Sequence, residues 1–362
     1  MPSLHIGLIV YGGLDRQSGG YLYDRMLVEH LREAGHTVTV VPQPERSRYA
    51  AHVLDNVDAR FWRQLAHASF DVLVQDELNH LSLVGGNRWL RRRVTYPIVS
   101  IVHHLRCSEH HPPVLRALYR WIEQQYLRTV DALVYNSPST KRAVERLLPA
   151  RPHVVAPPSG RRFGDPPARE AIEARCHADG PLRIVFVGNI IPRKQLHVLL
   201  TAVARLDPRR WHLDVVGAAS HLEYAARVRR QIQRLPAPEN VTWHGRLPAD
   251  ALRDVLRNGH VLAVPSTYEG FGIVYVEAMG KGLPVLATPN GGPVDLVQDG
   301  TTGFLVRPPL DRSIAECLRQ WDADRDHLAQ MAVAAREQYL ASPTWNDTTS
   351  AIRSFLEDLA CS

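Results

Sequence analysis

Pro265-Ser266-Thr267-Tyr268-Glu269-Gly270-Phe271-Gly272-Ile273-Val274-Tyr275-Val276-Glu277 is the stretch from which the rest of the chain can be read. An apolar run, His260–Val264, precedes it as a strand, and the stretch itself opens a helix. Two carboxylates stand in it with seven residues between them. Glu269 falls in a glycine-flanked turn and Glu277 one or two turns into the helix. Gly270 and Gly272 let the backbone come close to a ligand. Unpaired amides at a helix start attract phosphate. A carboxylate beside such a turn makes chemical sense when hydroxyls donate to it, as those of sugars and riboses do.

Upstream and downstream, short runs rich in Val, Ile and Leu alternate with helical patterns. In the first half the strand candidates are Leu4–Val10, Thr37–Val41, Phe70–Gln75, Pro97–Val102, Asp131–Asn136 and His153–Ala156. In the second half they are Arg183–Val187, His212–Val216, Val241–His244, His260–Val264, Pro284–Ala287 and Gly303–Val306. They barely alternate, as expected of strands buried on both faces of a parallel sheet. Tyr21–Ala34 has helical spacing and Gly35 stops it, giving a βαβ unit at the start. A polar stretch punctuated by Pro157-Pro158, Pro166-Pro167 and Gly180-Pro181 reads as a connection between domains. The expected fold is therefore α/β: two doubly wound, Rossmann-like parallel-sheet domains in series, over 1–165 and 181–340. Ligands in such sheets bind beyond the carboxyl ends of the strands, so two facing domains would hold theirs in the cleft between them. The last segment is helical, broken by Pro343. A final helix begins at Trp345-Asn346, with Asn346 or Asp347 as its cap.

Three further strand ends carry candidate chemistry. Gly188-Asn189-Ile190-Ile191-Pro192-Arg193-Lys194 follows the first strand of the second domain. Only three of the 43 basic residues are lysine (Lys141, Lys194 and Lys281), so Lys194 stands out. An arginine and a lysine at a strand-to-helix turn suit a diphosphate. Ser18-Gly19-Gly20, placed between the first strand and first helix, can present backbone amides; Gly12 and Gly13 are the alternative. His103 ends the strand Pro97–Val102, with His104, Cys107, His110 and His111 close behind. Adjacent histidines on a strand point to opposite faces, and no paired-ligand spacing is present, so no metal site is expected here.

Composition narrows the function classes. The four cysteines lie far apart with no CxxC, which points to reduced thiols rather than a disulfide framework or zinc ribbon. The opening residues read as a strand, not a leader, and no run reaches membrane-spanning length. The net charge of +6 sits mostly in residues 1–180, with 23 Arg and Lys against 18 Asp and Glu. Part of that excess is Arg88, Arg91, Arg92 and Arg93 beside Trp89: a solvated face, or one meeting an anionic acceptor or membrane. No nucleic-acid motif appears. Asp322-Ala323-Asp324 has the shape of a metal-binding D-x-D but lies in a helical pattern and reads as a solvated face.

The glutamate pair around Glu269-Gly270-Phe271-Gly272, with the basic pair at Arg193-Lys194, resembles family 4 of the retaining glycosyltransferases, which have the GT-B fold. The resemblance extends over essentially the whole chain, including Asn136-Ser137, Gly291-Gly292-Pro293 and Trp345. It implies a retaining enzyme moving a hexose-type sugar from a nucleotide-diphosphate sugar to a sugar, lipid or small-molecule acceptor. It implies no cofactor and no essential metal. The first domain would bind acceptor and the second the nucleotide sugar, with 341–362 returning to the first. His103, Arg193, Lys194 and Glu269 would be catalytic. Gly19, Gly20, Gly188, Asn189, Gly270, Phe271, Gly272 and Glu277 would bind donor, with Glu277 on the ribose. Many relatives carry Arg directly after the glycine where this chain has Asn189, and Arg193 would stand in. That departure leaves a non-catalytic sugar-nucleotide-binding subunit as a rival, beside a nucleotide-sugar epimerase. The location implied is cytoplasmic, or peripheral at the inner membrane face.

Overall fold

The computed structural model describes residues 3–15, 18–44, 46 and 49–361. The chain divides into two compact units, Met1–Pro158 with Pro343–Ser362, and Ser159–Ser342.

The first unit holds strands β1 (His5–Tyr11), β2 (Thr37–Gln43), β3 (Val72–Asp76), β4 (Ile98–Val102), β5 (Ala132–Tyr135) and β6 (His153–Val155). Its helices are α1 (Gly19–Glu33), α2 (Ala59–His67), α3 (His80–Leu90), α4 (Pro113–Leu127) and α5 (Pro138–Glu145), with a 3-10 stretch at Tyr49–Val57. All strands are parallel, in the order β2-β1-β3-β4-β5-β6, with Ile6 opposite both Val38 and Val72. β3, β4 and β5 are buried along their whole length, which is why their sequences fail to alternate.

The second unit holds α6 (Arg169–His177), β7 (Leu182–Val187), α7 (Leu196–Val203), β8 (Trp211–Val216), α8 (Leu222–Ile232), β9 (Val241–Gly245), α9 (Ala249–Asn258) and β10 (Val261–Ala263). It continues with α10 (Ile273–Met279), β11 (Val285–Ala287), α11 (Pro293–Leu296), β12 (Gly303–Leu305), α12 (Leu310–Ala323) and α13 (Arg325–Ala341). These strands are also parallel, in the order β12-β11-β10-β7-β8-β9. Its core gathers Phe186, Trp211, Tyr275 and Trp321, all essentially sealed from water.

A last helix, α14 (Trp345–Ala360), belongs to the first unit. Its cap is Thr344, not Asn346 or Asp347. The Thr344 hydroxyl accepts from the Asp347 amide at 3.1 Å, and the Asp347 carboxylate accepts from the Thr344 amide at 2.9 Å, a reciprocal capping box. The helix is held by Trp345 edge-on to Tyr23, by Thr348 donating to the Pro157 carbonyl at 2.5 Å, and by Glu357 against His36 at 3.1 Å.

The first crossing between units falls at Pro158/Ser159, and residues 159–165 group with the second unit. Arg162 pairs with Glu277, and the Lys281 ammonium donates to the carbonyls of Phe163 (2.8 Å) and Asp165 (3.0 Å). The helix expected from Tyr21 begins two residues earlier, so Gly19 and Gly20 are its first residues rather than a preceding loop. Ser18 caps it, its hydroxyl accepting from the Tyr21 amide. All four cysteines are free thiols. Among the described residues, no helix is long and apolar enough to cross a membrane.

Candidate functional site

In a doubly wound sheet the strand order reverses at one point. There, two neighbouring loops leave the strands in opposite directions and open a crevice. In the second unit that point lies between β7 and β10, and both loops singled out from sequence start there.

After β7 the chain passes through Gly188, Asn189 and Ile190, makes one 3-10 turn at Pro192–Lys194, and enters α7. Gly188 has φ +152°, and a Cβ there would sit 3.1 Å from Lys194 Cε, because the lysine side chain folds back over it. Gln195, between the turn and α7, has φ 51°; among the described residues it is the one non-glycine with positive φ. Such a conformation costs on the order of 1 kcal/mol and persists where surrounding structure enforces it. Here it reverses the chain straight after Lys194, so the lysine points back toward the strand ends.

After β10 the chain runs to Glu269. The Arg193 carbonyl accepts from the Thr267 amide at 2.8 Å, locking the two loops together. The Glu269 backbone is pinned on its other side by Asn290 and Gly292, at 3.1 and 2.8 Å. The side chains then meet. Lys194 Nζ lies 2.6 Å and Arg193 Nη1 3.3 Å from the same Glu269 oxygen. Arg193 also donates to the Tyr268 carbonyl at 2.5 Å. Burial would raise the Glu269 carboxyl, but the two cations outweigh it and hold it at about 2. Burial lowers Lys194, with Glu269 opposing. One acid and two cations leave a positive surplus at a switch point, which suits an anion.

Gly272 is the N-cap of α10, with φ +91°; a Cβ there would strike the Tyr275 ring at 2.4 Å, so only glycine fits. Glu277 lies five residues into α10 and is buried. Arg162 Nε donates to it at 2.5 Å; burial raises its carboxyl and Arg162 opposes that. Of the remaining donor-side residues, Gly270 and Phe271 fill the turn between Glu269 and Gly272, and Asn189 is exposed.

The first unit has its own switch point, between β1 and β3. His103 follows β4, and Asn136, at the end of β5, donates to its carbonyl at 2.7 Å. Gly20 lies against the ring: a Cβ there would stand 3.4 Å from His103 Cδ2. Asp24, one turn further along α1, places Oδ1 3.5 Å from His103 Nε2, and Asp76, the last residue of β3, lies 4.0 Å from it. Asp24 is fully buried and neither of its oxygens has a hydrogen-bond partner. Burial would lower His103, yet the flanking carboxylates of Asp76 and Asp24 carry it up to about 9. Burial raises Asp76 to about 7. The ligand atoms of Asp24, Asp76 and His103 lie within 4.8 Å of one another, close enough for a cation, which the imidazole could take only after losing its proton. Glu77, His80 and Glu123 form a second such group. There, however, Glu123 already accepts from the amides of Arg106 (2.5 Å) and Cys107 (3.2 Å) and holds that loop. His104, adjacent to His103, pairs with Glu109 instead, at 3.1 Å.

Lys194, Arg193 and Glu269 thus converge, with Glu277 on the following helix. His103 and Gly20 converge in the other unit, while Gly19 heads α1 beside Gly20. Sequence reasoning did not find Asp24, Asp76 or Arg162. Asp76 ends a legible strand and could have been flagged by position. Asp24 lies inside a helix and Arg162 in a proline-rich connection, where neither spacing nor composition distinguishes them.

Residues 168–338 match the family described as glycosyl transferases group 1, and residues 18–160 the glycosyl transferase 4-like domain. D-inositol 3-phosphate glycosyltransferase of Nocardia farcinica is 32% identical over 76% of this chain and 64% of its own length. Its counterpart in Corynebacterium diphtheriae is 30% identical over 81% and 72%. Alpha-maltose-1-phosphate synthase of Mycolicibacterium smegmatis is 30% identical over 62% of each. The chain therefore spans less than two thirds of the length of two of these three relatives. Sucrose-phosphate synthase from Thermosynechococcus elongatus superposes with a TM-score of 0.82 at 21% identity, covering 99% of this chain and 100% of that one. HepE of Anabaena, solved with UDP-glucose, gives 0.76 at 18%, covering 99% and 100%. Likeness at this identity speaks to fold alone.

Proposed function

The chain belongs to the group 1 glycosyl transferases of the GT-B fold, and from that premise we propose that it transfers a hexose-type sugar from a nucleotide-diphosphate sugar to an acceptor hydroxyl with retention. The observation that carries this reading is the Glu269 carboxylate held between Lys194 and Arg193 where the strand order reverses. Two cations stand where a diphosphate would accumulate charge as it leaves. The acid they now hold is placed to accept the sugar's hydroxyls once phosphate oxygens take over those cations. Glu277, buried on α10, is placed for the ribose hydroxyls, its Arg162 partner giving way or sharing it.

In the step itself the bond between the anomeric carbon and the phosphate oxygen breaks, leaving its electrons on the diphosphate. Lys194 and Arg193 stabilise that growing charge, in a site largely closed to water where such stabilisation counts most. The acceptor oxygen bonds to the anomeric carbon on the face the diphosphate leaves, and a phosphate oxygen takes the acceptor's proton. Configuration is retained and no protein base is required. In the first unit, His103 with Asp24 and Asp76 offers a polar cluster for reactant hydroxyls. No metal or cofactor is assigned a role.

A thermal-shift panel of nucleoside diphosphates and their sugars tests the reading. The expected result is a rise in melting temperature with one base, corresponding to about 2.7 kcal/mol at a hundredfold excess over Kd. A flat response to every member of the panel would sink it. A shift without turnover in any acceptor screen would favour the non-catalytic alternative.

A further inference from the structure

Residues 159–165 enter the second unit as a connection, yet they are bound to α10 more closely than a connection needs. Gly160 lies on the helix backbone: a Cβ there would stand 2.8 Å from the Glu277 nitrogen, an approach that admits only glycine. Just past α10, the buried Lys281 ammonium donates to three consecutive carbonyls of the same segment, Phe163 (2.8 Å), Gly164 (3.4 Å) and Asp165 (3.0 Å). Between these two anchors stands Arg162. Its guanidinium lies over the Phe163 ring, 4.4 Å from the centroid, and its side chain is 36% exposed. From there Nε reaches in to Glu277 Oε1 at 2.5 Å.

The other elements packed against α10 leave Glu277 to this one partner. Helix α10 carries no second charge, and β10 and β11 are wholly apolar. On α13, Tyr339 is covered by Arg161 at 5.5 Å, while Arg336 and Glu337 pair with each other at 2.6 Å. Helix α11 carries Asp295, and the connection itself Asp165. Among the charges around Glu277, that of Arg162 is the one that opposes the rise burial gives its carboxyl. Glu277 is 2% exposed, and among the described residues Oε1 is its hydrogen-bonded oxygen while Oε2 accepts from none.

We propose that Arg162 is a positioning residue of the donor site: by holding Oε1 it aims Oε2 of Glu277 at the ribose hydroxyls, and it stays in place when the nucleotide binds. This rests on the reading of Glu277 as the ribose acceptor, and of the two fates open to Arg162 it selects sharing over displacement. Gly160 and Lys281 serve the same end by fixing the segment on either side of Arg162. Without the guanidinium the carboxyl, cut off from water, takes up a proton, and one of its oxygens turns from acceptor to donor.

The full chain is titrated by calorimetry with uridine, guanosine and adenosine diphosphates, each beside its dideoxyribose analogue, at about pH 6 and about pH 8. The ratio of the two affinities isolates the ring hydroxyls, because both members of a pair carry the same diphosphate. Wild type is expected to favour the ribose form about tenfold at either pH. Arg162→Met should bring that ratio close to one at the lower pH, with partial recovery at the higher, as Glu277 ionises. Arg162→Lys keeps a cation and should hold a ratio that does not change with pH. In a Glu277→Gln background Arg162→Met should leave the ratio where it is, whereas a merely structural Arg162 would weaken both nucleotides in either background. No binding by any pair, or a wild-type ratio of one, overturns the ribose assignment and this inference with it. A wild-type preference that Arg162→Met preserves at both pH values overturns the inference alone. So does a higher ribonucleotide affinity in Arg162→Met, the mark of an arginine that has to be displaced.

Discussion

The two units place titratable clusters at corresponding points of their sheets, with opposite charge surpluses. In the second unit one carboxylate, Glu269, faces two cations, Lys194 and Arg193. In the first, one imidazole, His103, faces two carboxyl groups, Asp24 and Asp76, a surplus that turns negative as Asp76 ionises above about 7. Fold alone therefore does not decide what a switch point binds. A positive surplus suits a diphosphate, whereas a negative one repels it and suits hydroxyl donors. The difference also explains why the loop after β7 needs an enforced left-handed residue at Gln195, since the cation has to be turned back on the strand ends.

The sharpest way to break this contrast is to remove Lys194, the cation proposed to stabilise the departing diphosphate. Lys194→Ala is expected to cost about 3 kcal/mol in the transition state, or roughly 100-fold in kcat, with the fold retained. Unchanged turnover would place the diphosphate elsewhere. Glu277→Ala comes next. It should weaken affinity for the free nucleoside diphosphate by about 2 kcal/mol, read by calorimetry, because a buried hydrogen-bond acceptor is lost. Equal affinity would refute the ribose assignment.

Melting as a function of pH sharpens the contrast from the other side. Glu269 is held below its ordinary range, so its contribution is complete above about 4.5 and fades as pH falls toward 2. His103 is held above its ordinary range, so its contribution is complete below about 6.5 and fades as pH rises through about 9. Glu269→Gln should flatten the acid limb alone, and Asp24→Asn the alkaline limb alone. If either variant alters both limbs equally, the clusters are not the independent sites described above. The smallest effect is expected from Gly20→Ala, whose new methyl would reach van der Waals contact with the His103 ring. Stability should change by less than about 1 kcal/mol, so any larger loss of turnover would mark the ring's position as critical.

The central strands were the most legible, because a parallel sheet covered on both faces forces uninterrupted Val, Ile and Leu runs such as Ile98–Val102, whereas β2 and β9, at the sheet edges, are only partly buried. The Lys194 loop was legible because Gly188 marks the end of its strand and lysine is rare in the chain, and the Glu269 loop because two glutamates flank a glycine-rich turn that opens a helix. Helix starts were harder. Helix α1 starts two residues before the expected Tyr21, and Thr344 caps α14 two positions before Asn346 and three before Asp347, because a hydroxyl reaches an amide three residues on and lets even Gly19 begin a helix. The partners of known residues were hardest. Asp24 lies 79 residues from His103, and Arg162 lies 115 residues from Glu277. Such pairings are set by how strands are ordered, which local periodicity does not encode.

Helix α14 completes the first unit with the last residues of the chain. On a ribosome, Tyr23, His36 and the Pro157 carbonyl emerge long before Trp345, Glu357 and Thr348 are made to meet them. At about 5–20 residues per second, the wait across the intervening segment is roughly 10 to 40 s. The later-made unit can close on itself while the earlier one remains unfinished, with one side of α1 uncovered. A nascent chain of this kind offers chaperones a defined interval and a defined face, and premature termination near residue 343 would strand the half of the molecule made first.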